Sequence, residues 1–527
     1  MVSRSAARDP FSPGQLAALS AWGVIAVAAI LWPFAAGGEF IWRDMVVIDH
    51  PGLHASNFGG GDLPARNAPQ DGLLALFGIL APAPILVRVM LLSSAAAAVA
   101  GTIWLAHRTP RPGLVGTAAA IAFAVGNPFV IERFLQGQWS LVIAAWLLPL
   151  IAAAGLSGRR MWTWLAMFGA SLTPTGALLG ALVAVVCLRG QRLVTAGIGL
   201  LYCLPWALPG VIETFRGAAT MNAPAAAAAF APRGEAYAGT LGSMLGLGGI
   251  WNAEAVPESR TVGFALFGIA VAALAALGCA ALNRATLVPL GALAAVGFAV
   301  ACAAWLAPGA MAWALENIPG AGLARDSHKL LMLAIPLYLA GLSSVRGNRA
   351  VAAMLCVFLS TPDAPTALSP LTATSSGVND RLVAEIDGRD ALFVDRGSLV
   401  TVDGRVAVDP YTKATPVVDS GALAVDGAVV DEPSPRWVAA MEARRAGDMG
   451  RLEELGVGVV VEGGVIVAET NAPARRAPWA LTVLWMFSPL AALAVSLLLD
   501  ERAPRRRRAR PRARARVRGR KKGRKRR

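Results

Sequence analysis

The residues with the greatest capacity for chemistry lie close together near the N-terminus, in the stretch Gly38–Gly72. It holds the carboxylates Glu39, Asp44, Asp49, Asp62 and Asp71, the imidazoles His50 and His54, and the glycine triplet Gly59–Gly61, all between two apolar runs. Asp44 follows the first apolar run closely, at the expected boundary between lipid and water. A carboxylate partly withdrawn from water holds its proton more tightly, which suits it to general-base work. The competing reading is a solvated loop whose polar groups only keep its backbone folded. His50 and His54 are the candidate ligands of a divalent metal, together with Asp44 and Asp49, because imidazoles four residues apart converge on one helix face. Pro51-Gly52 interrupts any such helix.

Two further charged groups stand out against apolar surroundings. Glu132-Arg133 lies in NPFVIERFLQGQW (127–139), flanked by Phe129, Phe134 and Trp139. It reads either as a salt-bridged interfacial helix or as a substrate contact. Arg325-Asp326-Ser327-His328-Lys329 opens an apolar run, so three potential cations sit where a helix N-terminus already favours an anion. Phosphate or diphosphate binding by Arg325, His328 and Lys329 is one reading. Pairing with Asp326 and with acids of the first loop is the other. There is no Walker A motif, no GxGxxG opening a helix, no HExxH and no GxSxG. The five cysteines fall in or beside apolar runs and read as small buried residues without disulfide or zinc spacing.

The elements that must position these groups are membrane helices. The 527 residues are 56% hydrophobic and only 15% charged, too apolar for a soluble protein. Apolar runs at about 16–36, 85–106, 114–126, 140–156, 161–172, 175–188, 193–209, 262–282, 285–307, 329–344, 349–361 and 479–499 give twelve candidate spans. Several fall short of the ~20 residues a crossing needs, and 161–172 and 175–188, broken at Thr173–Gly176, read as half-helices. Arg4 and Arg8, the cluster 107–111, Arg159-Arg160, Arg189 and Arg192, Arg284, and Arg346 and Arg349 all fall on one side. By the positive-inside rule both termini are cytoplasmic, and the loops 38–72, 127–139, 210–260 and 308–328 lie outside. The cytoplasmic loops are too short to house a nucleotide-binding domain.

The chain therefore divides into a polytopic region 1–361, an extracytoplasmic α/β domain 362–478, a last transmembrane helix 479–499 and a tail 500–527. The α/β domain is read from short Val-rich alternations punctuated by Gly and Asp, with Pro435–Leu455 as one or two amphipathic helices. The net charge of +15 belongs to the tail: residues 502–527 hold seventeen Lys or Arg, and the remainder carries 31 basic residues against 33 acidic ones. The expectation is a disordered anchor touching anionic lipid, with no nucleic acid as partner.

A first span, a large acidic outer loop and many spans with short broken helices resemble the GT-C class of polytopic glycosyltransferases. More closely, the chain is similar to actinobacterial membrane proteins related to arabinofuranosyltransferases and to YfhO-type membrane proteins. The residues carrying the likeness are Asn127–Val130 with Gln136–Trp139, Arg325–Lys329, Val408-Asp409-Pro410 and Leu452–Val461. The resemblance implies a GT-C-like membrane α-helical bundle and a polyprenyl-phosphate sugar as donor. It also implies a glycan or lipid acceptor of the cell envelope, Asp44 or Asp49 as base, and Arg325, His328 and Lys329 on the donor phosphate. Glu132 and Arg133 complete the candidate substrate contacts. No cofactor is identified by the sequence, and a divalent metal is the one candidate. The alternatives are a non-enzymatic assembly protein of the envelope and a lipid or solute transporter. Transport is disfavoured by spans nearly free of charge, Arg88 excepted.

Overall fold

The computed structural model describes residues 10–216 and 221–508. Arg4, Arg8 and the tail beyond Arg508, with its expected disorder and lipid contacts, lie outside the described residues. The last helix runs Ala480–Arg508, so the first basic residues of the tail continue it instead of leaving it at residue 499. Arginine is a good helix former, and its presence does not end a helix.

All twelve apolar runs fold as helix over most of their length. Among the described residues eight helices are long and apolar enough to cross a membrane, and the chain is a multi-pass helical membrane protein. The four other expected spans are shorter. Arg160–Ala170 has 11 residues, Pro174–Cys187 has 14, Ala265–Cys279 has 15 and Ile335–Ser344 has 10. At 1.5 Å per residue these rise ~15–22 Å, less than a ~30 Å hydrocarbon core. The breaks have local causes. Pro174 starts a new helix after the Ser171–Thr173 turn. Residues Ser327–Ala334 wind as an eight-residue 3-10 helix before the α-helix begins at Ile335. Such a run is unusually long for that geometry, which crowds side chains three apart.

Trp139–Leu156 is the central helix, with 89% of its residues buried. Glycines let neighbours approach closely, as is common between membrane helices. A Cβ on Gly101 would strike the Pro149–Leu150 backbone, and one on Gly278 would strike Gly341. Arg88, the charged residue within a span, donates to the carbonyls of Phe34, Ala36 and Gly38 at 2.9, 2.5 and 2.9 Å. It thus caps the exit of the first helix.

The stretch after that exit forms a small hairpin, β1 (Phe40–Trp42) and β2 (Met45–Val47), antiparallel, with Arg43-Asp44 as its two-residue turn. The hairpin is gripped from two sides. Trp42 Nε1 donates to Leu135 O at 2.6 Å, and Arg43 exchanges backbone hydrogen bonds with Val406 and Val408 of the α/β domain. Strands β3 (Ala391–Phe393), β4 (Leu399–Val402), β5 (Arg405–Val408), β6 (Leu423–Val425), β7 (Ala428–Asp431), β8 (Val459–Glu462) and β9 (Val465–Glu469) build that domain. β3 pairs parallel with β8, which pairs antiparallel with β9, while β4–β5 and β6–β7 are separate hairpins. Their turns are Asp403-Gly404 and Asp426-Gly427, both residues of each at positive φ, as a tight two-residue hairpin requires. Pro435–Leu455 folds as two helices, Pro435–Ala446 and Met449–Glu454.

Candidate functional site

The four loops expected on one side do meet at one end of the bundle. The Pro128–Leu135 helix is the hub. Asn127 caps it, accepting from Val130 N at 3.2 Å, and Pro128 occupies its first turn. Its last turn presents Glu132 and Arg133 inward, both with no solvent exposure.

Arg133 donates two N–H groups to Asp326, at 2.6 and 3.0 Å, and a third bond to Gln138 Oε1 at 2.9 Å. It also donates to His328 Nδ1 at 2.6 Å, which fixes that nitrogen as an acceptor and leaves the imidazole proton on Nε2. His328 Nε2 points toward Glu132, 3.7 Å away. The ring stacks on Phe129 at 5.5 Å. Burial first, and the nearby Arg133 charge second, push the His328 pKa down to about 3, so it stays neutral. Burial alone would raise the Asp326 pKa; Arg133 and Lys329 overcome this and hold it below the usual carboxylate range. Glu132 accepts from Gly249 N at 3.3 Å and Ile250 N at 3.0 Å, with Arg260 at 3.6 Å. Arg260 in turn binds Glu235 through two N–H groups and donates to Ser360 O at 3.0 Å. The result is one continuous buried network from Glu235 to Lys329.

That network ends at Asp44. Gln138 Nε2 donates to Asp44 Oδ2 at 3.2 Å and Gln136 Nε2 at 3.4 Å. Gly137, at φ +84°, lies flat against the hairpin, where a Cβ would come within 2.6 Å of Trp42 O and 2.7 Å of Asp44 N. The Asp44 side chain is exposed, because the turn lifts it clear of the bundle. Around it stand cations. Lys329 is 22% exposed, 3.6 Å from Asp326, and lies in the fields of Asp44 and Arg325. Arg325 donates to both oxygens of Asp431, at 2.8 and 3.0 Å, with its guanidinium 4.3 Å over Phe230. Arg66 reaches the same Asp431 at 3.5 Å and is half exposed.

The placement sorts the expected residues. Asp44, Arg325, His328 and Lys329 do come together, although Asp44 and His328 are far apart in sequence. Direct contact of Glu132, Arg133 and His328 with a donor phosphate is corrected by their burial and internal pairing: no face of them is open, and they position Gln138 and Lys329 instead. Arg325 is largely engaged by Asp431. Asp49 lies two residues beyond the end of β2, at the opposite end of that strand from Asp44. Its amide donates to Glu39 at 2.9 Å, and Arg88 is the cation near it. The weak metal candidates diverge: His50 Nδ1 pairs with Gly78 O at 2.7 Å, while buried His54 pairs with Lys413 O and Asn57. Among the described residues no group of three His, Cys, Asp or Glu is arranged to hold a metal ion. The five cysteines are free thiols, two buried and three half-buried.

Four participants were missed: Arg66, Asp431, Glu235 and Arg260. Glu235 and Arg260 carried one usable signal, being charges in a loop otherwise rich in Ala and Gly. Arg66 and Asp431 carried none, since their proximity depends on how the α/β domain docks. No protein-family model matches this chain, and neither a curated protein nor a solved structure matches it.

Proposed function

We propose that this chain is a GT-C-like membrane glycosyltransferase, with twelve helical segments and both termini in the cytoplasm. It would transfer a sugar from a polyprenyl-phosphate donor to an envelope glycan or lipid at the outer face of the cytoplasmic membrane. One observation carries the reading: an exposed carboxylate, Asp44, is held by two glutamine amides beside the partly exposed ammonium of Lys329. Asp44 takes the proton of the acceptor hydroxyl as its oxygen attacks the anomeric carbon. The bond from that carbon to the phosphate oxygen breaks, and Lys329, with Arg66 and Arg325 behind it, stabilises the charge left on the lipid phosphate.

The experiment is transfer of labelled sugar from a polyprenyl-phosphate donor in membranes containing the full chain. Asp44→Asn is expected to lower transfer by about 10²-fold or more while insertion is preserved, the usual scale of a general base. Wild-type transfer by that variant rejects the assignment. A second reading, a non-enzymatic assembly protein, is favoured by the closure of the Glu235–Lys329 network on itself. It predicts no transfer by the wild-type chain with any such donor.

A further inference from the structure

The opposite end of the bundle carries a second feature, unrelated to Asp44. A crevice of about 590 Å³ opens between the C-terminal ends of Ala265–Cys279 and Ile335–Ser344 and the start of Asn348–Ser360. Leu277, Gly278 and Ala281 line its apolar side, and Arg346 and Arg349 stand at its mouth with Asn348. Leu277 is 56% exposed on the outer surface of a membrane-embedded helix, so the crevice is continuous with the lipid-facing surface.

At the Asp44 end the arginines are matched by carboxylates: Arg43 with Glu254, Arg133 with Asp326, Arg260 with Glu235, Arg325 with Asp431. The segment from Ala265 to Asn283 and that from Ile335 to Ser360, which hold every residue lining the crevice, contain no Asp or Glu. Arg346 and Arg349 are exposed, and among the described residues neither has a carboxylate within salt-bridge distance. Two exposed arginines on one side of a crevice whose other side is Leu277, Gly278 and Ala281 match one chemistry, a phosphodiester headgroup with its acyl chain alongside. We infer that this crevice is a binding site for one anionic phospholipid, its phosphate between Arg346 and Arg349 and its chain against Leu277 and Ala281. The inference does not depend on what happens at Asp44.

The test is native mass spectrometry of the full chain released from bilayers of phosphatidylglycerol and phosphatidylcholine, with retained lipid counted across a titration. The wild type is expected to keep one phosphatidylglycerol more firmly than any phosphatidylcholine. Arg346→Gln with Arg349→Gln should weaken it by about fivefold per arginine, the equivalent of ~1 kcal/mol each. Ala281→Trp fills the slot without altering charge and should also expel the lipid, whereas Arg346→Lys with Arg349→Lys should retain most of it. The basic tail is the same in every variant. Wild-type retention by both the glutamine and tryptophan variants assigns the lipid to the tail and overturns the site. Equal retention of phosphatidylcholine, or displacement by inorganic phosphate, overturns it as well. Unchanged thermal unfolding in phosphatidylcholine verifies that the variants are folded.

Discussion

Arg133 and Asp326, 193 residues apart, face each other through two N–H···O bonds of 2.6 and 3.0 Å in a place water does not reach. The pair welds the end of the Pro128–Leu135 helix to the 3-10 turn that carries Lys329. Removing one partner leaves a buried charge without its counterpart, which typically costs about 3–5 kcal/mol. Asp326→Ala is therefore expected to lower the thermal midpoint in detergent sharply. Arg133→Met with Asp326→Leu should recover much of the loss, since replacing both charges by apolar groups is often close to neutral. Equal midpoints for Asp326→Ala and the wild type would show that the pair is unimportant.

Gly137 separates the two glutamines that hold Asp44. Its φ of +84° and its contact with the β1–β2 turn leave no room for a side chain. Gly137→Ala is expected to cost about 1–3 kcal/mol from backbone strain alone, with the crowding against Trp42 added. Trp42 fluorescence and labelled-sugar transfer should change together in this variant. Asp44→Asn, by contrast, should leave the unfolding midpoint in place, because that side chain is exposed and replaces no buried contact.

Acid should destabilise the fold through its buried imidazoles. Burial lowers the His54 pKa from 6.5 to about 4, and His328 falls to about 3. Both are neutral when folded, whereas the unfolded chain takes up protons below pH 6.5. The unfolded state thus binds more protons across this window, and stability declines as pH falls from 6.5 toward 4. Asp326, whose pKa is lowered, acts in the same direction as pH drops below the ordinary carboxylate value. Unfolding midpoints measured from pH 7.5 to 4 should fall, and His54→Gln should flatten part of the slope. A flat profile for the wild type would contradict buried neutral histidines.

Lys413 Nζ lies 2.6 Å from Asp71 Oδ2, and both are buried at the seam between the first loop and the α/β domain. Asp71→Asn strands the ammonium and is expected to loosen this seam before the bundle is affected. Limited proteolysis should cut residues 372–380 faster in that variant, while the helical signal in circular dichroism is retained. Equal cleavage rates would mean the domain is held by the remaining seam contacts, such as Arg436 with Asp62.

The twelve apolar runs and the Val-rich hairpins with their Asp-Gly turns were legible from the residue order. The reason is that hydropathy, capping residues and turn residues act over a few neighbours. The grouping of Asp44 with Arg325–Lys329 could be anticipated, because topology put both stretches on one side. Other features depended on three-dimensional packing. Nothing local shows that Ser327–Ala334 winds as a 3-10 helix, or that the β1–β2 turn lifts the Asp44 carboxylate clear of the bundle.

Sequence by itself determined that this is a many-helix membrane protein in which loops rich in carboxylates alternate with basic ones. Tertiary structure alone decided which of those charges are available. Glu132, Arg133 and His328 look like ligands by type but are enclosed, while Arg66 is half exposed and Lys329 partly so. The physical reason is that a charged side chain has the same composition signature whether a distant segment covers it or not. Desolvation and pairing, which fix its chemistry, are set by segments hundreds of residues away.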